Sequence, residues 1–159
     1  MTNRWKLCAA ALLVVAVVLA SDASAKRRGP WWSPPDPQKT ADRCMERVAT
    51  MADRCAEHNQ KVADWCVEKI GELLDVELVE KADAVAAHCI RHINRSSDIC
   101  VKIIGCSCRC CVRVLERMDQ TELIAEVNAA CEQAIAQVRQ SQQDEVAKIE
   151  AALPVASPE

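Results

Sequence analysis

Three cysteines, Cys44, Cys55 and Cys66, recur at a spacing of eleven residues, and a second trio, Cys89, Cys100 and Cys111, repeats that spacing. At about 100° per residue, eleven residues make three helical turns plus about 20°. Cysteines so placed form one stripe on an α-helix, about 16.5 Å apart. On a strand, an odd spacing would alternate them between faces. The spacing therefore predicts helices. The segments 41–51, 52–62 and 63–73 support this: each opens with Ala-Asp, carries Glu two places after its cysteine (Glu46, Glu57, Glu68) and closes on an apolar residue (Met51, Val62, Leu73).

Taken in reverse order, the two trios give pairs whose residue numbers add to 155. Two antiparallel helices joined by a hairpin bring together residues with a constant sum. The expectation is a ladder, Cys44–Cys111, Cys55–Cys100 and Cys66–Cys89, with its tip near Glu77 and Leu78. A disulfide needs Cα atoms about 4.4–6.8 Å apart, closer than the usual 8–10 Å between packed helix axes. Small residues three places before the cysteines permit that approach: Ala41, Ala52 and Ala63 on one helix, Ala86, Ser97 and Cys108 on the other. Ile93, Ile104 and Leu115 would fill the levels between rungs. A rival tip at Gly71 gives sums near 144, pairing Cys44 with Cys100 and Cys55 with Cys89, and strands Cys66 and Cys111. The three-pair register is preferred, because glycine inside a helix costs only about 1 kcal/mol. Asp42, Asp53 and Asp64 lie about 200° from the cysteine stripe and read as solvated faces.

Residues 119–153 hold a third helical pattern, with Leu123, Ile124, Val127, Cys131, Ile135, Val138, Val146, Ile149 and Leu153 close to one face. Asp119 and Glu122 have the spacing of a capping box, and Pro154 ends the run. A turn at Met118–Asp119 sets Cys131 level with Cys106, which predicts a fourth bridge. Cys108 and Cys110 remain, within Cys-Ser-Cys-Arg-Cys-Cys. Three readings stand for them: interchain links, pairing in another register, or metal thiolates. The spacing is not that of the usual zinc sites.

The N-terminus has the form of an export signal. Arg4 and Lys6 precede an apolar run to Ala20, and Ala23 and Ala25 are small residues ahead of Lys26. Cleavage after Ala25 would remove Cys8 and leave ten cysteines, an even and dense set that reads as a disulfide framework in an exported chain. Lys26–Arg28 offers a second processing site. The organisation expected is a signal peptide at 1–25, a flexible Arg/Trp/Pro arm at 26–38, a helical domain at 39–153 and a tail at 154–159. The fold class is all-α: a disulfide-stapled antiparallel helical hairpin plus a third long helix, forming a three-helix bundle.

Past residue 25, 18 Lys and Arg stand against 22 Asp and Glu. That acidic balance gives no basic face for nucleic acid. Trp31 and Trp32 beside the basic arm residues have the composition of a membrane-surface contact. Asn94-Arg95-Ser96 is an N-glycosylation sequon, with Asn94 about 140° from the cysteine stripe. His88 and His92 have ligand spacing on one helix, but no third ligand falls on their face, and His58 lies far along the other helix. No catalytic triad order or phosphate loop appears, and no catalytic group, cofactor or metal is expected. The functional expectation is a secreted, non-enzymatic recognition or structural component with an extracellular protein partner, or a disulfide-linked homo-oligomer. A carrier of small apolar ligands and a membrane-active defence or venom protein are the alternatives.

Overall fold

The computed structural model describes residues 35–154. The segment 1–25 expected to be a signal peptide, Lys26–Arg28, Trp31, Trp32 and most of the C-terminal tail lie outside the described residues. The described residues form three helices: α1 (Pro37–Asp75), α2 (Val79–Glu116) and α3 (Thr121–Ala151). Each packs on the other two. Their lengths of 39, 38 and 31 residues correspond to about 58, 57 and 47 Å.

Helix α1 starts two residues before the expected domain boundary at 39. Asp36 caps it, accepting from the backbone N–H of Gln38 at 3.0 Å and Lys39 at 3.4 Å. Pro37 occupies the first turn, where its missing N–H costs nothing. The helix then runs unbroken through Gly71, where an added Cβ would meet nothing within 4 Å.

Both interhelical turns use one device. Leu78 N–H donates to Leu73 C=O at 2.9 Å, and Glu77 N–H to Leu74 C=O at 3.0 Å. Glu77 takes the left-handed conformation, φ 61°. At the second turn, Gln120 N–H donates to Leu115 C=O and Asp119 N–H to Glu116 C=O, both at 3.2 Å, with Asp119 at φ 56°. These are Schellman closures, which satisfy carbonyls left open at the end of a helix. The expected hairpin tip at Glu77–Leu78 is where the chain turns. The expected capping box at Asp119 is not formed: Asp119 belongs to the turn, and α3 begins behind Gln120 without a side-chain cap.

The small and large residues flanking the cysteines meet in the interior. Ala41, Ala52, Ala63, Ile93, Ile104 and Leu115 are all fully buried. Two apolar clusters result. One, distal to the tip, includes Val48, Cys55, Ile104, Leu115, Val127 and Val138. The other, near the tip, includes Cys66, Ile70, Ala86, Cys89, Ile93 and Ile149.

Helix α3 runs parallel to α1, as two cross-links show. Gln137 donates to Asp53 at 2.8 Å, and Lys148 pairs with Asp64. The partners are again eleven residues apart on each helix, so the beat of α1 is read by α3. Asp53 and Asp64 are exposed, as expected, yet they engage the third helix and do not face solvent alone.

Candidate functional site

The six cysteines of the two trios face one another across the α1–α2 seam. The thiols of Cys55 and Cys100, Cys66 and Cys89, and Cys111 and Cys44 are close enough to act on one another. They stand as opposed thiols, in the register with its tip at Glu77. Burial, with the neighbouring sulfur adding to it, pushes the thiols of Cys55, Cys66 and Cys111 up to about 12. A thiolate there would lose its water and face a second sulfur.

One bridge is closed, between Cys108 and Cys131, with Cα atoms 6.3 Å apart. The pairing expected from level alone, Cys106 with Cys131, is not formed. Cys106 lies two residues, about 200°, around the helix from Cys108, and it is exposed. Of the three readings of Cys108, this bridge fits pairing in another register and removes the interchain link.

Cys106 and Cys110 are both exposed. They lie one turn apart on the outer face of α2, in a stripe with Ile99, Ile103 and Val114. Ile99 and Ile103 are 47% and 48% exposed. The two sulfurs cannot reach each other in an intact helix. Residues four apart have Cβ atoms about 5–6 Å apart, whereas a disulfide holds them at about 3.5–4.5 Å.

His58 and His92 are brought together, contrary to the distance expected between them. Their Nε2 atoms lie 3.2 Å apart across the outer flank of the seam, with ring centroids at 5.3 Å. Matching residues by level along the axis ignores the reach of two imidazoles on the same flank. His88, exposed one turn before His92, lines the adjoining hollow with Arg91, Arg95 and Asp98.

A polar layer separates the two apolar clusters. Asn59 and Ser97 are fully buried, and Asn59 Nδ2 donates to Ser97 Oγ at 3.0 Å. Ser96 Oγ donates to Asn59 Oδ1 at 3.2 Å. Asn94, the acceptor of the sequon, is half-buried, and its Oδ1 accepts from Gln142 Nε2 at 2.6 Å. It therefore faces α3 from its position about 140° round the helix from the cysteine stripe. Its sequon partner Ser96 is held in the polar layer.

A groove between α1 and α3 collects Asp53, Glu57, Asp144 and Glu145. Sequence reasoning missed this group, because no spacing within one helix links its members. Glu145 Oε2 is buried without a hydrogen-bond partner, and Lys148 Nζ lies 3.8 Å away. Among the described residues, no helix is long and apolar enough to cross a membrane. No protein-family model, curated protein or solved structure matches the chain.

Proposed function

We propose that the chain is a secreted, non-enzymatic structural and recognition protein: a helical rod stapled by disulfides and joined to a second copy of itself. The observation that carries this reading is the placement of its cysteines. Six are opposed across one seam and two are already bridged. Among the described cysteines, the remaining two, Cys106 and Cys110, share one exposed face with Ile99 and Ile103.

In an oxidising compartment, each opposed pair closes by passing two electrons and two protons to a disulfide oxidant. The rod then gains durability outside the cell from restraints on its unfolded chain. Antiparallel pairing of two α2 helices about a two-fold axis sets Cys106 opposite Cys110 of the partner subunit, and the reverse. Two interchain bridges close at once, with Ile103 buried beside them, as isologous symmetry requires. The site chemistry favours a non-enzymatic role: the thiols of the seam oppose other thiols.

Disulfide mapping of the secreted protein, with electrophoresis under non-reducing conditions, tests this. The expected result is a reducible dimer carrying Cys44–Cys111, Cys55–Cys100, Cys66–Cys89 and Cys108–Cys131, with peptides of Cys106 and Cys110 joined between chains. A monomer with Cys106 and Cys110 free or capped by a small thiol would remove the dimer. Reduced thiols along the seam would remove the whole reading.

A further inference from the structure

The histidine pair on the outer flank of the seam is used by nothing described above. We infer that His58 and His92 form an interhelical site for a divalent transition-metal ion of the zinc, nickel and copper class. The two Nε2 atoms are 3.2 Å apart. A metal held by two imidazoles at about 2.0–2.1 Å with tetrahedral angles separates the nitrogens by about 3.3–3.4 Å. A square-planar ion with the two rings adjacent separates them by about 2.9 Å. The observed spacing lies near the tetrahedral value, so a small turn of the two exposed rings brings both nitrogens onto one ion.

In a hydrogen bond, one Nε2 donates and the other accepts. Both rings can instead carry their proton on Nδ1 and turn two lone pairs toward one ion. Imidazole suits zinc, nickel and copper, whereas calcium and magnesium take oxygen ligands. Among the described residues, no third His, Cys, Asp or Glu completes a three-ligand group. Water or a small anion fills the other positions, on the side where Arg91 and Arg95 line the hollow with His88 and Asp98. The ion joins α1 to α2 on the flank of the seam, so binding stabilises the folded rod by mass action.

The test is calorimetric titration of nickel and zinc chloride into the purified protein, after thiol counting shows the seam oxidised, beside His58→Gln, His92→Gln and His88→Gln variants. The wild type is expected to bind one ion per chain. His58→Gln and His92→Gln should each weaken binding at least tenfold and abolish the metal-induced rise in Tm. His88→Gln should leave affinity within about threefold, since His88 is exposed outside the pair. All three side chains are exposed, and an unchanged metal-free Tm shows that the variants fold. Absence of binding by the wild type, or equal affinity in the His58 and His92 variants, overturns the inference.

Discussion

Asn59 and Ser97 are fully buried and hydrogen-bonded at 3.0 Å across the α1–α2 seam. Asn59 stands four places after Cys55, where Val48 and Ile70 stand after Cys44 and Cys66. Ser97 stands three places before Cys100, where Ala86 precedes Cys89. The pair therefore breaks an otherwise apolar repeat on both helices at one level. Sliding one helix by eleven residues preserves two cysteine pairs, with numbers adding to 144. It would set Asn59 near Ala86 and Ser97 near Val48, leaving both buried without partners. The polar pair thus selects between two registers that sulfur alone nearly equates, the role a single buried asparagine plays in helical pairing. Asn59→Ala is expected to cost about 1–3 kcal/mol by leaving hydroxyls unpaired. Asn59→Val with Ser97→Ala should recover most of that loss in chemical denaturation. The double variant should also yield Cys44–Cys100 and Cys55–Cys89 bridges after oxidative refolding, read by peptide mapping. If it refolds only to native pairs, the polar layer does not set the register.

The seam predicts opposite alkaline behaviour for the reduced and oxidised protein. The folded state holds the Cys55, Cys66 and Cys111 thiols near 12, above their ordinary value of 9.0. Between those values the unfolded chain has lost protons that the folded chain keeps, so stability falls as pH rises. This contribution is intact below pH 9. Fully reduced protein should therefore lose Tm steadily from about pH 9 to 12. The oxidised protein, which has no seam thiol to titrate, should lose much less over that range. Coincident curves would show that the thiols do not hold these shifts.

Glu77 closes the hairpin with φ 61°, a conformation that costs a side chain about 1–2 kcal/mol relative to right-handed backbone. Glycine has no such cost, but it loses more freedom on folding. Glu77→Gly should therefore stabilise the protein by about 0.5–1 kcal/mol, the left-handed strain relieved less the freedom glycine loses. Glu77→Val should destabilise it, since a β-branched side chain tolerates this region poorly. Thermal unfolding of the two variants beside wild type reads both signs.

The parts of the fold written in periodicity were legible; those depending on azimuth or side-chain reach were not. The cysteine beat, with Ala41, Ala52 and Ala63 before it, carried enough angular information to place a seam and its tip. The turns carried no composition signal, because Glu77 and Asp119 occupy positions where glycine is usual. Cys106 was matched to Cys131 by level along the axis. The angular test that set Asp53 and Asp64 off the stripe would also have set Cys106 there and left Cys108 inside. His58 and His92 escaped for a related reason: a flank of the seam is bridged by long side chains that a level rule treats as distant. The acidic groove needed the parallel placement of α1 and α3, which nothing in either segment alone encodes.

That angular distinction makes the fourth bridge a decisive comparison. Cys108 and Cys131 close a span of 23 residues around the second turn, and a bridge over such a loop contributes about 3 kcal/mol by restraining the unfolded chain. Cys108→Ser should remove it and lower Tm markedly. Neither neighbouring cysteine can take its place, since Cys106 and Cys110 each lie about 200° around α2 from it. Cys106→Ser should leave Cys108–Cys131 and the Tm of the isolated chain unchanged, while shifting non-reducing electrophoresis away from the doubly bridged dimer. Peptide mapping that finds Cys131 joined to Cys106 in the Cys108→Ser protein, with Tm retained, would show that α2 rotates freely enough for level alone to decide the pairing.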